Sequence, residues 1–228
     1  MLLSQQDIYD VPLPTTHRFP MAKYRMTRVG LQEELGDRAV FEESPLVTRN
    51  DLILTHDADY VQRFLDNRMT PKENRVIGFP WSDGSVKRSL SSVGGTVAAM
   101  HAVCTSPLSK NDDFQLFAGH VAGGTHHAFA DRGEGFCVFN DIAVAANVAL
   151  RDYPSLVRQI LIIDLDVHQG NGSAVLFQDK PQVFTFSMQC STNYFSEKQT
   201  SDLDIEVPPG AGDAEYMDIL HQHVSCVL

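Results

Sequence analysis

The sequence predicts an α/β protein with a mostly parallel sheet, and three features carry that prediction. Apolar strand-like runs at 114–118, 160–163, 183–188 and 205–207 alternate with helical stretches, the order expected of parallel strands joined by crossovers. The run Ile160-Leu161-Ile162-Ile163 is aliphatic throughout and reads as a strand buried on both faces. It then turns polar at alternate positions, so Asp164, Asp166 and His168 would share one face. Open α/β sheets place their sites at the carboxyl ends of strands, which makes this stretch a candidate metal centre. Gly170 and Gly172 follow it and let the backbone turn.

Taken in order, residues 1–20 carry Pro12, Pro14 and Pro20 and read as an extended lead-in with a short strand. Residues 21–35 have helical character, and Gly36 is placed to stop them. Leu52-Ile53-Leu54 is a short apolar piece, and 55–67 is a helix with Tyr60/Phe64 and Val61/Leu65 paired four residues apart. The stretch from Gly78 to Gly84 has turn chemistry, and a long helix follows over 86–104. Gly94-Gly95 inside that helix costs roughly 1 kcal/mol per glycine, tolerable where another backbone or a pocket must come close. Residues 119–139 form a loop rich in His and Gly, and Asn140 can cap a helix over 141–152. A short helix at 172–178 precedes the strand at 183–188 and a polar loop over 189–202. A final helix from Asp213 carries Tyr216, Leu220, Val224 and Val227 on one face. It shows no capping glycine and no basic last turn and stops on apolar Val227-Leu228, so the chain is expected to continue past Leu228. No repeat or linker interrupts 1–228, and one domain is expected.

Composition narrows the function classes. With 228 residues, 43% hydrophobic and 21% charged, the chain is ordinary globular material. A net charge of −11 disfavours direct nucleic-acid binding, which rests on Lys and Arg neutralising phosphates, and would suit a cationic substrate. Cys104, Cys137, Cys190 and Cys226 form no CxxC pair, which argues for a reduced, intracellular setting, cytoplasmic or nuclear. Neither a membrane-spanning run nor a signal peptide is legible.

A second chemical stretch is Gly119-His120-Val121-Ala122-Gly123-Gly124-Thr125-His126-His127-Ala128-Phe129. Lone histidines such as His17, His56 and His101 are more often surface or satisfied side chains than ligands. His221 and His223, on the final helix, are expected to be solvated. Adjacent imidazoles in a glycine-rich loop are poor core material; beside an Asp/His cluster they supply a general acid and base next to a Lewis acid.

A third stretch, Gly133-Glu134-Gly135-Phe136-Cys137-Val138-Phe139-Asn140-Asp141, completes an ordered set. His126-His127-Ala128, Gly135-Phe136-Cys137 with Asn140-Asp141, and Asp164 through Gly172 resemble the zinc-dependent histone deacetylases in order and spacing. The likeness is to their class IV-like and bacterial branch and covers nearly the whole chain, including His17-Arg18-Phe19-Pro20-Met21, Gly78-Phe79-Pro80-Trp81-Ser82 and Ser201-Asp202-Leu203-Asp204-Ile205.

That resemblance implies an arginase/deacetylase-like, three-layer α-β-α fold, incomplete at the carboxyl end. By position, Asp166 and His168 match two zinc ligands, and His126 and His127 match the tandem active-site histidines. Asp164 matches an aspartate that holds His126 and also lies at a potassium site to which Ser187 contributes. Gly135 and Phe136 match one wall of an acyl-lysine tunnel, with Phe195 or Tyr194 for the opposite wall. The implied reaction is hydrolysis of an acetyl-lysine amide, or of an acetylpolyamine or other small amide, with one Zn2+ and a K+ ion. His127 would act as base and then acid, and His126 would orient the attacking water.

Several positions depart from the pattern. Asn171 stands where many members carry an aspartate, so His127 is expected to be less basic than an Asp-paired version. Gly78-Phe79-Pro80-Trp81 occupies the region of a rim aspartate that clamps substrate backbone. Gly170 replaces the further aspartate of the two-manganese ureohydrolases, which favours one catalytic metal. The third zinc-ligand aspartate and the carbonyl-polarising tyrosine should fall beyond Leu228, so these 228 residues alone are expected to be nearly inactive. A truncated, non-catalytic chain serving as a binding module is the second reading.

Overall fold

A computed structural model describes residues 1–5, 7–9, 11, 13–107, 109, 116–193 and 196–228. The chain divides into two compact units, Met1–Arg158 and Gln159–Leu228.

In the first unit, β1 (Leu2–Gln5) is the middle strand of a parallel sheet, between β2 (Val40–Glu43) and β3 (Ala118–His120). Leu2 pairs with both Val40 and Ala118. The helix α1 (Lys23–Leu35) ends where Gly36 takes φ 49° and returns its N–H to Gln32 O, as the sequence implies. After α2 (Arg49–Leu52), α3 (Ala58–Leu65) buries Tyr60, Val61 and Phe64, and is shorter than expected because the chain turns at Asp66 and at Asn67, where φ is 56°.

The helix α4 (Pro71–Ile77) is absent from the sequence reading. Thr70 accepts from Glu73 N–H, Glu73 accepts from Thr70 N–H, and Pro71 occupies the first turn, so its start is fully capped. The helix α5 (Asp83–Cys104) begins three residues before the expected Val86, because Ser82 and Ser85 form a second capping box. It packs along β1 and β3 and against α6 (Asp141–Asp152).

The glycine pair in α5 is explained by close approach. A Cβ at Gly94 would lie 1.9 Å from Pro45 O, and one at Gly95 would lie 2.3 Å from the His120 ring. The core of this unit is Leu52, Tyr60, Val61, Phe64, Ile77, Val93, Phe139, Val144 and Val148. The strand expected at 114–118 is instead β3, from Ala118 to His120; Phe114 lies outside the described residues.

In the second unit, β4 (Ile160–Asp164), β5 (Val183–Cys190) and β6 (Leu203–Val207) form another parallel sheet in that order. The helix α7 (Asn171–Phe177) packs against β5, and α8 (Asp213–Val224) packs against β6. Tyr216, Leu220, Val224 and Val227 close over Phe186, Met188 and Val207, as the apolar face of the final helix implied. That helix ends at Val224, and its last turn carries His221 and His223, so it has the titratable bases that the sequence reading denied it. His221 is exposed and His223 half-buried.

The opening strand is covered less completely than expected. Ile162 is 6% exposed but Ile163 is 39% exposed, so the four aliphatic residues are not buried on both faces. Both sheets are parallel, and helices pack on each, which bears out the α/β class.

Candidate active site

The tandem histidines sit in the loop between β3 and α6 and are almost fully buried, at 4% and 3% exposure. Their ring centroids are 4.0 Å apart at 39°. Two buried side chains at the start of α6 fix this loop. Asp141 accepts from Gly124 N–H at 3.2 Å, Thr125 N–H at 2.7 Å and the Thr96 hydroxyl at 2.5 Å. Gly123 and Gly124 adopt φ 99° and 69°, which L-residues rarely take, and a Cβ at Gly123 would lie 2.5 Å from Asp141 Oδ2.

Asn140 serves the other side of the pair. Its Oδ1 accepts from Ala143 N–H at 2.9 Å and caps α6, as the sequence implied. Its Nδ2 donates to His126 O and to Ala128 O, both at 3.3 Å. His56 supports Asn140 in turn: Nε2 accepts the Asn140 N–H at 3.0 Å, while Nδ1 donates to Phe129 O at 2.8 Å. Both ring nitrogens are therefore committed in the neutral form, and burial lowers the pKa to about 4. His56 is a satisfied core histidine, as a lone histidine usually is.

Gly135 and Phe136, the expected tunnel wall, are the two central residues of a tight turn. Cys137 N–H donates to Glu134 O at 2.9 Å, and both central residues have positive φ, 58° and 68°. That is a type I′ geometry, natural for glycine and strained for phenylalanine. The carboxyl end of α4 holds the turn in place, through Gly135 N–H to Val76 O at 3.2 Å and Phe136 N–H to Ile77 O at 2.7 Å. The Phe136 ring meets Phe19 at 5.1 Å, Phe79 at 5.2 Å and the edge of His17 at 5.9 Å. Gly78-Phe79-Pro80-Trp81 is thus part of an aromatic cluster behind Phe136, with Trp81 Nε1 donating to Phe64 O at 2.7 Å. Phe195 and Tyr194 lie outside the described residues.

In the second unit the Asp-x-Asp-x-His run behaves differently from a continued strand. β4 stops at Asp164, whose Oδ1 accepts from Asp166 N–H at 3.0 Å; Asp166 Oδ1 accepts from His168 N–H at 2.8 Å. Successive carboxylate-to-backbone turns, rather than strand alternation, bring these side chains together. His168 Nδ1 lies 3.3 Å from Asp166 Oδ1, with the two side chains 33% and 50% exposed. Donors about 2.0–2.1 Å from a tetrahedral ion stand about 3.3–3.4 Å apart, so this pair fits two zinc positions. Among the described residues, no group of three or more His, Cys, Asp or Glu side chains is arranged to hold a metal ion.

Asp164 and Ser187 face each other across β4 and β5, and the Ser187 hydroxyl accepts from Gly170 N–H at 3.3 Å. Asn171 is fully buried as the first residue of α7. Gln169 ties the turn down, donating to Gln199 O and Asp204 Oδ1 at 2.7 Å each and accepting from Gln199 N–H at 2.7 Å. The supporting roles of Asn140, Asp141, His56 and Gln169 escaped the sequence reading, because each rests on contacts between residues remote in sequence.

Parallel sheets with packed helices, a buried tandem-histidine loop and an Asp-x-His turn at the carboxyl end of a strand define the arginase/deacetylase-like class of α/β protein. The chain belongs to the histone deacetylase family: that family's model, described as a histone deacetylase domain, matches residues 17–228. A protein of Picosynechococcus sp. described as uncharacterized is 43% identical over 222 residues, 96% of this chain and 70% of its own length. The acetoin utilization protein AcuC of Bacillus subtilis is 31% identical over 157 residues, 65% of this chain and 38% of that protein. The crystal structure of an HDAC homolog from Aquifex aeolicus matches with a TM-score of 0.75 and 23% identity, over 99% of this chain and 64% of that one. The chain therefore spans only part of the relatives it matches. Among the described residues, no helix is long and apolar enough to cross a membrane.

Proposed function

We propose that this chain carries the metal-donor turn and the acid/base histidines of a zinc-dependent deacylase that hydrolyses the amide of acetyl-lysine or a related acylated amine. The observation that carries the reading is the donor pair, Asp166 Oδ1 and His168 Nδ1 at 3.3 Å, at the carboxyl end of a parallel strand. A zinc ion there would polarise the substrate carbonyl and make water a nucleophile near neutral pH.

The chain's own residues then divide the remaining work. His127 takes the proton of the attacking water and returns it to the leaving amine. His126 is the proposed residue that orients the water. Asp164 and Ser187, in register across β4 and β5, are the proposed potassium donors. Gly135 and Phe136 are the proposed lining of the passage for the acyl-lysine side chain. Acetyl-lysine peptides lead as substrates, and acylated polyamines share the required amide.

A catalytic zinc takes three protein ligands, and Asp166 and His168 are two. The 228 residues alone are accordingly proposed to bind the metal weakly and to turn over little substrate. The deciding experiment titrates the chain and its D166N and H168A variants with Zn2+ by calorimetry. It then assays the loaded chain against acetyl-lysine peptides and acetylpolyamines. Weak one-to-one binding lost in both variants, with trace turnover at most, is expected. Zinc binding that survives both substitutions would sink the metal assignment, and brisk turnover would sink the claim of low activity.

A further inference from the structure

We propose that Asn140 is a positioning residue for the tandem histidines, setting their rings through the backbone on either side of His127. The proposal rests on the reading of His126 and His127 as the acid/base pair, and its geometry lies wholly within Met1–Arg158.

The Asn140 side chain is fully buried, and it makes three hydrogen bonds to backbone groups. An amide has two N–H donors and one carbonyl oxygen. Both donors are directed at carbonyls, His126 O and Ala128 O at 3.3 Å each, and the oxygen takes Ala143 N–H at 2.9 Å. The orientation of the amide follows from this, since exchanging O and N would face an oxygen with two carbonyls and a donor with an N–H.

The two clamped carbonyls flank the His127 residue, so His127 cannot turn about its backbone without breaking at least one of these bonds. The backbone of Asn140 is anchored separately, by its N–H to His56 Nε2 at 3.0 Å. Asp141 holds Gly124 and Thr125 on the amino side of the pair. The amino end of α6 thus fixes the histidine loop at both sides.

Helix capping alone does not account for this choice of residue. Aspartate and serine cap as well as asparagine does. Neither can donate two hydrogen bonds to neighbouring carbonyls, and glutamine would place its amide one methylene too far out. The residue is chosen by the clamp.

The difference between capping and clamping supplies the test. N140D and N140S both retain an acceptor for Ala143 N–H and lose the paired donor. The ring nitrogens of His126 and His127 would be followed by 15N NMR in the metal-free 228-residue chain, with exposed His221 as the reference. Both variants are expected to keep the helical circular dichroism of the wild type. The ring signals of His126 and His127 should move or broaden while those of His221 stay in place. Folded variants with unshifted His126 and His127 signals would overturn the proposal.

If neither variant folds, the wild-type chain still decides the matter. Two distinct Asn140 side-chain NH resonances, protected from exchange on the order of 100-fold over a free amide, are expected. An exchange rate like that of a free amide would overturn it. Neither readout involves metal or substrate. Loss of the deacylase reading would therefore leave the clamp intact, and loss of the clamp would leave that reading intact.

Discussion

His56 is where a single residue links the histidine loop to acid stability. It is fully enclosed, with Nδ1 donating to Phe129 O and Nε2 accepting from Asn140 N–H, so a second ring proton would meet a donor. Burial is the leading cause of its fall from 6.5 to about 4, partly opposed by the carbonyls of Phe129 and Ala130. In the unfolded chain the imidazole gains its proton near its ordinary value, whereas the folded chain resists until about pH 4. Between those values the unfolded state holds more protons, so stability rises with pH. The contribution is complete above about 6.5 and is lost as pH falls through the window toward 4. A shift of this size corresponds to at most about 3 kcal/mol. Urea unfolding of the wild type and of H56Q at intervals from pH 4 to 7 would measure it. The wild-type stability should fall more steeply than that of H56Q through this range; parallel slopes would show that His56 does not titrate there.

Glycine in a helix is a cost or a necessity according to what faces it, and two helices of this chain make the contrast measurable. Gly94 in α5 would place a Cβ 1.9 Å from Pro45 O, a backbone atom that cannot step aside. Gly30 in α1 is exposed and has nothing within 4 Å. G94A is therefore expected to destabilise by about 3 kcal/mol or more through overpacking. G30A should stabilise by about 0.5–1 kcal/mol through helix propensity. Urea midpoints at unchanged m-value would check both, and equal effects of the two substitutions would reject the close-approach account. The Gly94-Gly95 pair could be read in advance because two glycines in a long helical pattern demand a reason. Gly36 and Asn140 were legible for the same local cause, since caps involve neighbours in sequence. The start of α4 also carried its signal, Thr70-Pro71-Lys72-Glu73, but the helix has only 7 residues and too few turns to display an apolar period. β1 and β2, of 4 residues each, and β3, of 3, are likewise too short for a pattern.

At the scale of the whole chain, residue types in contiguous motifs told more than periodicity did. His126-His127 and Asp166-x-His168 carried the family resemblance, and the family match over residues 17–228 bears that resemblance out. How Asp166 and His168 come together was not legible: strand alternation was expected, whereas paired carboxylate turns after Asp164 do the work. The clip from Gln169 to Gln199 and Asp204 spans 30 and 35 positions and has no local signature. These long-range ties make the turn from Asp164 to Gln169 part of the folded state, so metal binding at the proposed donors and folding should be linked. A ligand that binds only the folded chain stabilises it by RT ln(1 + [L]/Kd), about 2.7 kcal/mol at 100 times Kd. For a chain of this length that is a rise in Tm of about 5–10 °C. The unfolded chain, with its 9 His and 4 Cys, also binds zinc and reduces the effect, so the proper reference is a D166N/H168A double variant in the same buffer. Thermal unfolding across a Zn2+ titration should show the wild-type midpoint climbing with the logarithm of free zinc while the double variant stays flat or falls. If the two curves coincide at every zinc concentration, Asp166 and His168 do not hold the metal.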